Sequence, residues 1–133
     1  MQRAKNVFLI FFIGFSLYPI IEILWRGYTH WTMSFIGGIG LIILYNINGM
    51  MHRRRGNYSL MLNSLAAASA ITALELISGI IINKFFMFEI WDYSSLPLNI
   101  FGQISLFYST LWFFLCLFVN IILNLLGAPL KKF

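Results

Sequence analysis

Four nearly uninterrupted apolar runs constrain this chain more than any other feature. They are Asn6–Trp25 (NVFLIFFIGFSLYPIIEILW), Trp31–Met50 (WTMSFIGGIGLIILYNINGM), about 58–82 and about 100–126. Each is near the ~20 residues that a helix needs to cross the hydrocarbon core of a bilayer. The runs do not alternate polar and apolar residues, which argues against a β-barrel. Only 10% of the 133 residues are charged and 60% are hydrophobic, whereas a soluble domain carries roughly 25% charged residues. The predicted class is an all-α integral membrane protein. It forms one membrane domain over 1–133, with four spans and no room for a separate soluble domain. The basic start and first apolar run could suggest a signal peptide. Glu22 and Trp25 stand where a small-residue cleavage site would be needed, so the segment reads as a retained span.

Charge sets the expected orientation. Arg3, Lys5, Arg53, Arg54, Arg55, Lys131 and Lys132 fall on one side of a four-span chain, and only Arg26 and Lys84 on the other. By the positive-inside rule both termini and the HRRRG loop are cytoplasmic and the protein is multi-pass in the cell membrane. Arg53, Arg54 and Arg55 fix topology or meet anionic lipid headgroups. The net charge of +5 needs no nucleic acid to explain it, and no cofactor motif is present. The single cysteine, Cys116, lies in the fourth span, so an intramolecular disulfide is impossible.

All four acids, Glu22, Glu75, Glu89 and Asp92, map to the outer half, together with Arg26, His30, Asn99 and Gln103. Polar chemistry is therefore expected at one depth. Glu22 and Arg26 are spaced i, i+4 in the order that favours a helical ion pair. Glu75 lies about 22 Å into its span at 1.5 Å per residue, where a carboxylate costs at least ~2.5 kcal/mol. It shares a face with Ser64, Ala68, Thr72 and Gly79, and small residues let another helix approach. Glu75 is expected to point into a helix interface, as a structural carboxylate paired with Arg26 or as a ligand-binding or proton-carrying group. Ser34, Gly37, Gly38 and Gly40 in the second span, and Gly102, Ser105, Ser109 and Cys116 in the fourth, read as packing stripes.

The spans also hint at a repeat. IEILWRG and LELISG end the first and third, and Ile36–Leu41 aligns with Phe101–Leu106 as apolar, Gly, small or polar, Ile, small, Leu. The fold expected is two parallel-repeat hairpins related by an axis along the membrane normal. The second hairpin has a longer outer connection, about 83–99. Pro97 disfavours helix at Leu96, and Asn99 reads as an N-cap for the fourth helix. Trp91 and Tyr93 suit the headgroup layer. The connection is read as an interfacial or re-entrant segment, turning Asp92, Asn99 and Gln103 inward toward Glu22, Arg26 and Glu75.

At these residues the chain resembles the family labelled "putative ABC-transporter type IV" (CmpB-like), which also takes in the animal transmembrane protein 229 group. The shared pattern is E-x3-G, then W-D-Y-S-x2-P-x-N-x2-G, then W. It is carried here by Glu75, Gly79, Trp91, Asp92, Tyr93, Ser94, Pro97, Asn99, Gly102 and Trp112. At the start Tyr18-Pro19 stands in place of the family's Gly-Trp, while Glu22 and Arg26 remain. The resemblance implies a role connected with transport. The chain has too few spans for the usual half-transporter, too short a cytoplasmic loop for a coupling helix, and no G-x4-G-K-[ST] phosphate loop.

Three classes of function stay open. The leading one is a small transporter, channel or transport-associated subunit. Its candidate polar site is Glu22, Arg26, His30, Glu75, Asp92, Asn99 and Gln103, suited to a cation, a proton or a zwitterion, and it would work as a homodimer or larger homo-oligomer. The second is a structural or partner-binding membrane protein, including a phage-type permeabilising protein, acting with a membrane partner. The third is an enzyme acting on a lipid-linked substrate. No G-x-S-x-G, H-E-x-x-H or Cys/His cluster supports an enzyme, and His30 and His52 lie on opposite sides and cannot share a metal.

Overall fold

The computed structural model describes the backbone of residues 2–54 and 60–126. Among the described residues, four helices are long and apolar enough to cross a membrane. They are α1 (Gln2–Arg26), α2 (Trp31–Arg54), α3 (Leu60–Gly79) and α4 (Leu106–Leu126). Within hydrocarbon the backbone has no water to bond, so a helix that satisfies its own N–H and C=O groups is the available solution. Pro19 lies inside α1 and removes one helical donor there. The side chains of Arg3, His52, Arg53 and Arg54, and all of Arg55, Lys131 and Lys132, lie outside the described residues.

α1 packs on α2, α2 on α3, and α3 on α4. The central core joins Leu44 of α2, Ala67, Ala68 and Ile71 of α3, and Cys116 of α4. Glycine makes the α1–α2 contact close. A Cβ on Gly14 would stand 2.9 Å from the Cα of Gly38, and one on Gly37 would stand 2.8 Å from the Gly14 carbonyl oxygen. The predicted small-residue face of α3 is the packed one. Ser64, Ala68, Glu75 and Gly79 are buried, and Thr72 donates to Ser109 of α4 at 3.3 Å.

Polar chemistry is not confined to one depth. Near the opposite ends of the helices, Asn48, Asn63, Ser64 and Asn120 are wholly buried. Asn48 Nδ2 donates to Asn120 Oδ1 at 2.6 Å, and Asn120 Nδ2 donates to Ser64 Oγ at 3.0 Å. This bridge ties α2, α3 and α4 together. Amides inside the bundle hold one another because hydrocarbon offers them no other partner.

The connection before α4 differs from the sequence expectation. α3 does not stop near 82 but continues as a π-helical stretch, Ile80–Phe85. A two-stranded antiparallel hairpin follows, β1 (Asn99–Ile100) and β2 (Ile104–Ser105). α4 therefore begins at Leu106 rather than near Ile100. Ser105, not Asn99, is its N-cap, accepting the Tyr108 N–H at 3.2 Å. The delay has a backbone cause, since Phe101 and Gly102 both hold left-handed conformations, φ +56° and +71°, which end any helix there. Gly37, aligned with Gly102 in the expected repeat, sits in mid-helix. The two aligned segments thus differ in local structure.

Candidate functional site

The site is built from one face of α1, one face of α4, Glu75 of α3 and the connection that folds over them. α1 and α4 are not packed backbone to backbone. They meet through side chains, with Tyr18 stacked on Trp112 at 5.6 Å and Trp25 Nε1 donating to the Tyr108 hydroxyl at 3.5 Å. Between them lies a cavity of about 210 Å³ lined by Tyr18, Ile21, Glu22, Trp25, Glu75, Tyr93, Tyr108, Leu111, Trp112 and Leu115. A second, apolar cleft of about 110 Å³ adjoins it, sharing Tyr18, Ile21, Trp112 and Leu115 as walls and reaching Gly14, Gly37 and Cys116.

Glu22 and Glu75 both face this cavity. Glu22 bonds Arg26 at 3.0 Å, and Arg26 also donates to the Ile90 carbonyl at 3.0 Å and lies over the Tyr28 ring. Arg26 is therefore engaged by Glu22, and the expected Glu75–Arg26 pair does not form. Glu75 is only 7% exposed. Its Oε2 accepts from the Tyr93 hydroxyl at 3.1 Å. Its Oε1 is buried without a hydrogen bond among the described residues, and the Trp112 indole faces the same carboxyl without reaching hydrogen-bond geometry. No basic residue pairs with Glu75 among the described residues.

Tyr93 is held over Glu75 by a pinned connection. Asn83, presented by the π-helical turn, accepts from the Ile90 N–H at 2.7 Å and donates to Gln103 Oε1 at 2.7 Å. Trp91 donates its indole N–H to the Gln103 carbonyl at 3.0 Å. Trp91 is thus a buried anchor, packed with Met33, Ile36 and Ile90, rather than an exposed headgroup-layer residue. A Cβ on Gly79 would press on the Trp91 ring and the Gln103 Cβ, each at 3.0 Å. The Tyr93 ring stacks on Tyr108 at 4.5 Å. Burial first, and the neighbouring Glu75 second, push the Tyr93 hydroxyl above its ordinary pKa, so it stays protonated and donates.

The remaining predicted site residues serve the scaffold. Gln103 is buried but spends its amide on Asn83 and on the Phe101 carbonyl. Asn99 donates to the Leu96 carbonyl at 2.7 Å and accepts the Gly102 N–H at 3.0 Å, closing the hairpin. His30 Nδ1 accepts the Thr32 N–H at 3.3 Å and caps α2. Asp92 does not look inward. It is exposed, and its Oδ1 accepts the Ser94 N–H at 2.9 Å, an Asx turn. Pro97 is exposed on the same connection. Gly102 is required twice there, by its φ of +71° and because a Cβ would stand 2.8 Å from Asp92 Oδ1.

The Ser94 backbone N–H, aided by its side chain, holds the Asp92 carboxyl below the usual carboxylate range. Because the folded-state pKa is lowered, the turn gains from the charge above the ordinary aspartate pKa of ~3.9. That gain disappears as pH falls through the lower folded value. An NMR titration is expected to show the Ser94 amide shift following the Asp92 carboxyl, with a midpoint below that of free aspartate. In Asp92→Asn the Ser94 amide should stop titrating.

Sequence reasoning found both carboxylates but not the walls around them. Tyr18, Glu22 and Trp25 are spaced i, i+4, i+7, and so are Tyr108, Trp112 and Leu115. That periodicity was the available signal for two faces turned toward one space. A search of curated proteins and a search of solved structures each found no match. The family model described as "Putative ABC-transporter type IV" matches residues 8–131, a span that holds α2, α3, α4, the pinned connection and every residue lining the cavity. The chain belongs to that family.

Proposed function

We propose that this protein is a transport-associated membrane subunit that takes a small solute at the cavity between α1 and α4. The observation that carries this reading is Glu75, a buried carboxylate with one oxygen unbonded, facing a cavity beside a second acid. A carboxylate in such surroundings is expensive unless something else engages it. The Glu22–Arg26 pair is internally neutral, so the Glu75 charge is left for a cation, a proton or the positive end of a zwitterion. The cavity is smaller than the ~300–1,000 Å³ of drug-sized sites, which suits a small solute.

In this reading the cavity end of the bundle is outward, the termini are cytoplasmic and residues 86–105 lie at the interface as a cap. The two hairpins, α1–α2 and α3–α4, would be repeats that have diverged at this connection. A homo-oligomer completes the pathway, since four helices enclose little by themselves.

The test is a flux assay on purified protein in liposomes, screening H⁺, Na⁺, K⁺ and small amino acids. Glu75→Gln is expected to reduce the flux at least tenfold while elution on size exclusion is unchanged. A flux indifferent to Glu75→Gln, or no flux of any solute, would remove this cavity from a stand-alone transport role.

A further inference from the structure

We infer that the cavity takes an alkylammonium group, with its hydrocarbon substituent lying in the adjoining apolar cleft on the side of Gly14 and Cys116. This inference rests on the reading of the cavity as a solute site and names the chemistry of the solute. Three observations support it together. The first is charge. Glu75 is 7% exposed, has no basic partner among the described residues, and keeps Oε1 without a hydrogen bond. An ionised carboxylate in this position is stabilised by a counter-charge, and a cation at Oε1 supplies it.

The second is the kind of wall. Tyr18, Trp25, Tyr93, Tyr108 and Trp112 surround the two acids. Apart from the two acids and the tyrosine hydroxyls, the lining is aromatic ring and aliphatic side chain. Aromatic rings favour weakly hydrated organic cations, above all quaternary ammonium groups. The stacked pairs Tyr93–Tyr108 and Tyr18–Trp112 fix the rings in place, so little ordering is needed on binding. The third is adjacency. The apolar cleft shares four lining residues with the cavity and is bordered by Leu44, Ile71 and Val119, an environment for a short alkyl chain rather than for a second charge.

The experiment uses the full-length protein in a neutral maltoside detergent. Tetramethylammonium, butyltrimethylammonium and 3,3-dimethyl-1-butanol, whose tert-butyl group is the neutral isostere of a trimethylammonium head, are titrated while tryptophan emission and calorimetric heat are followed. Saturable binding of both ammonium ions is expected, the butyl compound binding tighter by about fourfold per methylene that enters the cleft. The neutral isostere should not compete. Glu75→Gln is expected to weaken ammonium binding at least about tenfold, and Tyr108→Leu about three- to tenfold.

Equal binding of the neutral isostere would overturn the inference, and that comparison needs only the wild-type protein. So would undiminished binding in a well-folded Glu75→Gln protein, or no saturable ammonium binding at all. A lipid choline headgroup and a free alkylammonium share this chemistry. Displacement of butyltrimethylammonium by dihexanoylphosphatidylcholine assigns the site to the headgroup, and resistance to displacement assigns it to the free ion. Flux of another solute that depends on Glu75, without ammonium binding, would overturn this inference and leave the transport reading intact. Ammonium binding without flux would do the reverse.

Discussion

Gly37→Val is expected to push α1 away from α2 and to destabilise the protein by about 3 kcal/mol or more. A Cβ at this position would stand 2.8 Å from the Gly14 carbonyl oxygen and 2.9 Å from the Tyr18 Cγ, and would also collide with the Tyr18 Cβ. Overpacking a core costs ~1–3 kcal/mol when neighbouring side chains can yield. Here the obstacles are backbone and the root of a side chain, which cannot turn aside. The effect should extend to the cavity, because Tyr18 is one of its walls and stacks on Trp112. Gly40→Ala is the control. Nothing lies within 4 Å of a Cβ there, and exchanging Gly for Ala inside a helix gains up to ~1 kcal/mol. Unfolding in mixed micelles with rising dodecyl sulfate would measure both. A Gly37→Val protein as stable as the wild type would mean that α1 and α2 do not meet through these glycines.

Asn120→Ala is expected to cost about 2–4 kcal/mol, although the position lies far from the cavity. It removes an acceptor 2.6 Å from Asn48 Nδ2 and a donor 3.0 Å from Ser64 Oγ. Hydrogen bonds between helices in a bilayer are worth ~0.6–2 kcal/mol each, and loss of side-chain packing at a wholly buried residue adds to that. Ser64→Ala should cost less, since it removes one bond. The decisive quantity is the coupling between the two changes. Residues that share a bond couple by ~0.5–3 kcal/mol, whereas independent ones add within ~0.3–0.5 kcal/mol. The double variant should therefore be more stable than the sum of the single losses implies. Strict additivity would mean that Asn120 and Ser64 do not hold each other.

This amide layer was present in the sequence as Asn48, Asn63 and Asn120 inside apolar runs. A single amide weighs little in a hydropathy count, and only the helix packing shows that these residues reach one depth. The carboxylates were different. Glu22 and Glu75 are costly enough in hydrocarbon that position alone marks them as inward-facing. Asp92 faces outward for the opposite reason. A carboxylate in a connection has water and backbone N–H groups available, and it took the Ser94 N–H.

The number of spanning helices and the Glu22–Arg26 pair follow from local sequence, because hydrocarbon thickness and the 3.6-residue helical repeat act on neighbours along the chain. So does the packed small-residue face of α3. The tertiary structure alone decided the late start of α4, the π-helical turn that presents Asn83, and the isolation of Glu75 from Arg26. It also brought Tyr18 and Trp112, 94 positions apart in the chain, into one cavity wall. Those features depend on which helix faces meet and on left-handed residues such as Phe101 and Gly102. They arise from contacts between distant segments, which no window of local hydropathy contains.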